Sequence, residues 1–303
     1  MIPTHPDSCL NGRESRPIMK VCGACERKLP DDAYSVEQRG LRQSTRLCIE
    51  CVATGNELVL MKRGRMRAEE DTCLLCELPL PVEPHECMLR PCCMKKVCNG
   101  CILSANKFGI RDCPFCRAAI PGESQVLAMV KKRAAADDPM AICFLGAHHD
   151  SGGFGLEKET RKAVRLCGQA AALGAKEAHY ILGGIYKRGV GGLGSIKEGA
   201  MSFQHYEEAA MRGHVLARYT LGVLECEDRH WGLAIQHFSI SAKMGHAASI
   251  HNIKQLFIQG IATKAAYAEV LQGYGAATEE MSSPSRDEAR VMGAEKICHG
   301  DRN

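Results

Sequence analysis

A chain of 303 residues has room for two or three folded units. Only 5% of it is aromatic, with one tryptophan, so alanine, glycine and leucine fill the second half. No apolar run is long enough to span a bilayer, and the first residues, with Pro3 and no apolar segment, do not read as a secretory signal. The expected setting is a reducing one, cytosol or nucleus, where thiols stay free of disulfides.

Residues 1–15 combine Pro3, Pro6 and Asn11-Gly12 with scattered polar groups and are expected to be a disordered tail. Cys9 there is a lone thiol. Residues 16–60 carry the first metal-like pattern. Cys22 and Cys25 form one C-x-x-C pair, and Cys48 and Cys51 form a second after 22 intervening residues. Two such pairs supply the four thiolates of a structural zinc site, and Gly23 suits the tight turn between ligands. A redox reading would use one pair and leave the other idle. Asp31 to Ser35 and Gln38, between the pairs, resemble small zinc fingers that end in a Cys-x-x-Cys-Val helix start. Residues 61–70 hold Lys62, Arg63, Arg65 and Arg67 ahead of Glu69-Glu70. They read as a basic, solvated linker rather than a phosphate-contacting strip, because acids close the run.

Residues 71–121 contain eight more candidate ligands. Cys73 with Cys76, Cys98 with Cys101 and Cys113 with Cys116 are C-x-x-C pairs, and Cys92 and Cys93 are adjacent. Eight thiols are the ligand count of two tetrahedral zinc ions. The order of pairs, the apolar Leu75 before the second ligand and the ending Cys113-Pro114-Phe115-Cys116-Arg117 resemble a RING finger. The resemblance implies that pairs one and three share one zinc and pairs two and four the other. The family's usual histidine ligand would fall on Met94 or Lys95, neither of which suits zinc. Cys92 with Cys93 then makes an all-cysteine variant, with Cys87 and His85 as substitutes. Three zinc ions are expected in all. Twelve thiolates and three divalent ions turn the formal charge of +4 into about −2, so bulk charge does not favour nucleic acid.

Residues 122–137 place Val126, Leu127 and Val130 at helical spacing and predict a connecting helix. Residues 138–281 repeat. The block Ala141 to Gly146 recurs at Ala178 to Gly183 and at Ala217 to Gly222, offset by 37 and 39 residues, and a degenerate copy starts at Ser249 with Ile253 in the leucine slot. Second blocks end at Gly174, Gly213 and Gly245, where a helix must finish in a left-handed residue. These motifs resemble the Sel-1-like repeat, a relative of the tetratricopeptide repeat. The predicted fold is mainly α: an α-α solenoid preceded by two small zinc-stabilised modules, closed by a helix near 263–280 and a disordered tail at 282–303.

Several patterns are decoys. Gly189, Gly191 and Gly194 fit G-x-G-x-x-G but follow no strand. His148-His149-Asp150 reads as a helix end, His214 and His246 as repeat positions, and Cys143, Cys167 and Cys226 as buried small apolar groups. No thiol enzyme is expected. The RING resemblance implies a ubiquitin ligase or ligase subunit that binds a ubiquitin-conjugating enzyme through Leu75 and Pro114, with Arg117 contacting that enzyme and ubiquitin, and no covalent intermediate. The repeats would take substrate or complex proteins, and no membrane partner is expected. The alternative is a non-catalytic interaction scaffold, favoured by the missing histidine and the lack of a clear aromatic between Cys101 and Cys113, where Phe108 and Ile110 are the candidates. A third idea is nucleic-acid binding through Arg39, Arg42, Arg46 and the 62–67 run.

Overall fold

The computed structural model describes residues 18–190 and 195–293. The tail expected at 1–15, the last ten residues of the tail expected at the C-terminus, and Gly191 and Gly194 of the glycine pattern lie outside the described residues. The chain divides into two units, Met1–Lys62 and Arg63–Asn303.

In the first unit, β1 (Met19–Val21) and β2 (Lys28–Pro30) pair antiparallel around the first cysteine turn. Three short helices follow: α1 (Val36–Arg39), α2 (Ile49–Ala53) and α3 (Val59–Lys62). The core is Tyr34 among Cys22, Cys48 and Cys51. The Tyr34 hydroxyl donates to the Lys20 carbonyl at 3.0 Å, which satisfies its one polar atom. Two of the arginines considered for nucleic acid, Arg39 and Arg46, brace the unit. Arg39 donates to the Tyr34 carbonyl and pairs with Asp31, while Arg46 donates to the Gln38 and Leu41 carbonyls and lies over the Tyr34 ring.

The second unit opens with a strap whose Arg63 and Arg65 are exposed, as a solvated linker would have them, but whose backbone is packed. Gly64 and the Met66 carbonyl approach the turn at Gly213 so closely that a Cβ on either glycine would meet backbone. Arg218, fully buried, donates to the Arg63 carbonyl. Then β3 (Cys87–Arg90) and β4 (Lys95–Cys98) form a hairpin, with Met88 opposite Val97, and α4 (Asn99–Lys107) follows. The linking helix α5 (Glu123–Ala134) is where the apolar spacing put it.

The helical array is four antiparallel pairs: α6 (Pro139–Ser151) with α7 (Thr160–Ala172), α8 (Lys176–Arg188) with α9 (Ile196–Met211), α10 (Val215–Glu227) with α11 (Trp231–Lys243), and α12 (Ala247–Ile258) with α13 (Lys264–Met281). It is an α-α solenoid. The repeated Ala141, Ala178, Ala217 and Ser249 are all fully buried. The repeated glycine has one job: a Cβ at Gly146, Gly183 or Gly222 would lie within 2.7 Å of Cys167, Tyr206 or Phe238 on the partner helix. Gly174, Gly213 and Gly245 end their helices at φ +98°, +79° and +96°, the left-handed conformation that spares glycine the Cβ clash.

One expectation fails at the C-terminus. Ser283 caps a helix, α14 (Pro284–Met292), with Pro284 at its first position. This helix packs on α4, and Ala289 enters the apolar cluster of Leu80, Val97, Ile102 and Leu103. Ser-Pro followed by Asp287 is a helix start as much as a disorder signal.

Candidate metal centres

Three of the five C-x-x-C pairs, those starting at Cys22, Cys73 and Cys113, share one turn. In the first, the Glu26 amide donates to the Cys22 carbonyl at 2.9 Å and the Cys22 amide to the Arg27 carbonyl at 3.0 Å. Glu77 to Cys73 and Arg117 to Cys113 repeat the first bond, at 2.8 and 2.9 Å. In these three the residue after the second cysteine is left-handed: Glu26 at φ +58°, Glu77 at +57° and Arg117 at +61°. That tight turn aims two sulfurs the same way. Cys48 and Cys98 instead cap α2 and α4, so Cys51 and Cys101 lie in the first helical turn. The adjacent Cys92-Cys93 uses a variant, in which the Met94 amide donates to the Arg90 carbonyl and Met94 takes φ +54°.

The turns bring twelve sulfurs into three groups, each within 4.8 Å: Cys22, Cys25, Cys48 and Cys51; Cys73, Cys76, Cys98 and Cys101; Cys92, Cys93, Cys113 and Cys116. Pairs one and three of the eight-cysteine module therefore meet, as do pairs two and four. Cys87 and His85, the substitutes considered, join none of the groups. Cys87 lies half-buried with its Sγ toward the Pro84 carbonyl, and burial raises its thiol pKa.

The donor geometry fits a tetrahedral metal. Zn–S bonds of about 2.3 Å place ligand sulfurs about 3.8 Å apart. Observed separations are 4.0 Å for Cys25 and Cys48, 3.9 Å for Cys73 and Cys101, 3.8 Å for Cys76 and Cys98, 3.7 Å for Cys93 and Cys113 and 3.4 Å for Cys92 and Cys116. A disulfide needs about 2.05 Å. Within the second group, contact with Cys101 and Cys98 pushes Cys73 down, while contact with Cys73 pushes Cys101 up. Close thiols compete for negative charge, and a divalent cation among them removes the competition.

Donors to the sulfurs fix the ligands from outside. The Cys48 amide points at Cys22 Sγ (3.3 Å), Asn56 Nδ2 at Cys51 Sγ (3.4 Å) and Arg27 Nε at Cys25 Sγ (3.3 Å). Burial alone would raise Cys25; hydrogen bonds from Arg27, Cys22 and Cys51 together outweigh it and bring the thiol down to about 6. Arg286 of α14 donates to Cys76 Sγ at 3.2 Å, with further bonds to the Leu78, Pro79 and Met281 carbonyls. Sequence spacing carries no signal for this contact, because 210 residues separate its partners.

Met94 explains what replaced the expected histidine. It is buried against Val130, Ala141 and Leu145, so this turn anchors the module on α5 and α6 instead of supplying a ligand. Arg133 of α5 donates to the Cys92 carbonyl at 3.1 Å. Of the three other residues singled out, Leu75 is 43% exposed, Pro114 is half-buried and Arg117 is exposed. Phe108, at the end of α4, is 83% exposed. The decoy histidines have structural partners: His214 caps α10 by accepting from the Ala217 amide at 3.1 Å, and His246 bonds Ser249 at 3.0 Å. Cys143 and Cys167 are buried. Among the described residues no helix is long and apolar enough to cross a membrane.

No protein-family model and no curated protein matches the chain. Among solved structures, it is similar to c5321, a protective antigen present in uropathogenic Escherichia coli strains and displaying an SLR fold, at 16% identity and a TM-score of 0.43, over 66% of this chain and 46% of that one. It is similar to a Sel1 repeat protein from Oxalobacter formigenes at 18% identity and a TM-score of 0.44, over 66% and 83%. The immunity protein Pa5087 from Pseudomonas aeruginosa follows at 14% identity and a TM-score of 0.29, over 77% and 93%. The chain thus spans under half the length of the first of these.

Proposed function

We propose that this chain is a zinc protein of the RING type that works as a ubiquitin ligase or ligase subunit in the cytosol or nucleus. The observation that carries the reading is the interleaving of the two tetrads in residues 73–116. Serial zinc fingers use neighbouring pairs; interleaved pairs hold two loops side by side on one rigid frame. In this reading Cys73, Cys76, Cys98 and Cys101 hold one zinc, Cys92, Cys93, Cys113 and Cys116 a second, and Cys22, Cys25, Cys48 and Cys51 a third. Zinc would supply folding energy and no step of chemistry. Leu75 and Pro114 would receive an apolar loop of a ubiquitin-conjugating enzyme, and Arg117 would orient the charged conjugate. The helical pairs would take substrate or complex proteins.

Discharge of ubiquitin from a panel of charged conjugating enzymes tests this. Stimulation by the wild type is expected, with Leu75→Ala losing stimulation and retaining its zinc. Arg117→Ala should slow discharge and leave enzyme binding intact.

A second reading is favoured by a specific observation. Arg117 occupies the same left-handed turn position as Glu26 and Glu77, so its place has a purely geometric explanation. The chain would then be an interaction scaffold with structural zinc modules. No stimulation from any enzyme of the panel selects this reading.

A further inference from the structure

Where the eight-cysteine module meets the helices, a cavity of about 310 Å³ remains. Pockets that hold small molecules begin at about this volume. Leu80, Val82, Leu89 and Leu216 give it apolar walls. The charged groups in it are mostly matched. Lys96 pairs with Glu177 at 2.9 Å, and Lys176, which is buried, pairs with Asp71 at 2.8 Å.

Arg67 is the exception. Its Nη1 donates to the Leu80 carbonyl and to Met281 Sδ, and among the described residues no carboxylate pairs with it. Its Nε is enclosed and has no partner. Burial lowers its pKa below the usual guanidinium value, against the opposing pull of the Asp71 charge, which Lys176 already shares. A guanidinium partly withdrawn from water gains from an anion, and with Nε enclosed and Nη1 engaged, Nη2 is the donor left for a carboxylate. The first turn of α10 opens onto the same space through Val215 and Leu216, and a helix N-terminus favours negative charge.

We propose that this cavity binds a small apolar carboxylate, with the acid held by Arg67 and the hydrocarbon lying against Leu80, Val82, Leu89 and Leu216. Two sources present that chemistry: a free branched-chain acid, and the C-terminal leucine or valine of a peptide. Because residues from the strap, the cysteine module and the array all line the site, its occupant would tie the three together.

Calorimetric titration of the full-length, zinc-loaded chain tests this, with 4-methylpentanoate, 4-methylpentanamide, and a hexapeptide ending in leucine as free acid or amide as probes. The free acid, the free-acid peptide or both should bind, and each amide should bind about tenfold more weakly or worse, since a charge-assisted bond is lost. Tighter binding of the peptide acid assigns the site to a chain terminus, and binding of 4-methylpentanoate alone assigns it to a metabolite. Arg67→Lys should weaken binding about tenfold. Leu216→Phe should fill the cavity and abolish binding without touching a charge, which keeps the test sound if Arg67→Lys misfolds. Cys87 lines the same cavity, so bound acid should slow its alkylation, read by peptide mass spectrometry. Equal binding of acid and amide, no binding at millimolar probe, or no protection of Cys87 overturns the proposal.

Discussion

Cys73, Cys98 and Val97 in the cysteine module are as buried as Ala141, Ala178 and Ala217 in the helical array, but for different reasons. The array buries apolar faces against one another, and its small residues let helix pairs approach until Gly146, Gly183 and Gly222 touch partner side chains. Among the described residues the module's buried apolar groups beside its sulfurs are Leu80, Val97, Ile102 and Leu103, with Met88 and Phe115 packed on them, and it borrows Ala289 from α14. So few apolar groups rarely sustain a fold, and metal binding has to supply the remainder. Two kinds of cohesion therefore meet in one unit, and each can be removed separately.

Chelation gives the largest expected effect. Metal analysis of purified chain should return three zinc ions, and a strong chelator should then unfold all three tetrads. The far-ultraviolet signal of α6 to α13 should largely survive, because no ligand lies in it. Hydrogen exchange should sharpen the boundary: α14, α4 and the α5–α6 end that holds Met94 should lose protection, and α10 with α11 should keep it. Two zincs or fewer in folded material, or loss of most of the helix signal, would refute the division.

A charge in the array should do the reverse. Leu182 is 2% exposed inside the cluster of Ile142, Cys167 and Ala178. Leu182→Asp should cost more than about 3 kcal/mol by burying an unpaired carboxylate, while zinc content stays at three. Gly222→Ala, whose new methyl would meet the Phe238 ring, should cost about 1–3 kcal/mol through overpacking. Denaturant midpoints check both, and a Gly222→Ala chain as stable as wild type would mean that the close approach is slack.

The array was legible because a repeat states its own register. Three copies of alanine, leucine and glycine marked the buried face before any coordinate. The tetrads were legible because ligand spacing is local. What was missed lies at joints between distant segments. Lys62, Arg63 and Arg65 are exposed, as their charge implies, yet the Met66 carbonyl and Gly213 pack backbone to backbone, and Arg67 is half-buried with its Nε enclosed. Ser282 to Ser285 read as disorder, although Ser283 and Pro284 begin a helix. In both cases local composition was overruled by a partner over a hundred residues away.

Arg286 tests the joint between the two regions. It is 4% exposed and donates to Cys76 Sγ and three carbonyls. Arg286→Ala should cost about 1–3 kcal/mol by leaving buried acceptors unpaired. It should also speed zinc release from the Cys73, Cys76, Cys98 and Cys101 site, followed with a chromophoric chelator, and leave the other two sites unchanged. Equal release at all sites would assign α14 a merely global role.

The smallest expected effect is a pH dependence confined to the array. His205 of α9 has its Nδ1 3.1 Å from His179 Nδ1, and its ring stacks on Tyr186 with centroids 5.5 Å apart. At that separation one nitrogen donates and the other accepts, so only one of the two can carry a proton. Burial, and then the charge of His179, pull His205 down to about 4, against about 6.5 in an unfolded chain. The fold thus prefers the neutral ring. Between pH 6.5 and 4 the unfolded chain binds more protons, so stability falls as pH drops through that window and is fully present above it. One histidine contributes about 1 kcal/mol of loss between pH 7 and 5.5. Acid also loosens thiolate sites, and that loss is common to both chains, so the comparison must be with His205→Gln. The variant should show a shallower fall of Tm between pH 7 and 5.5 at equal zinc content. Identical slopes would show that the His179–His205 contact does not set the acid sensitivity of the array.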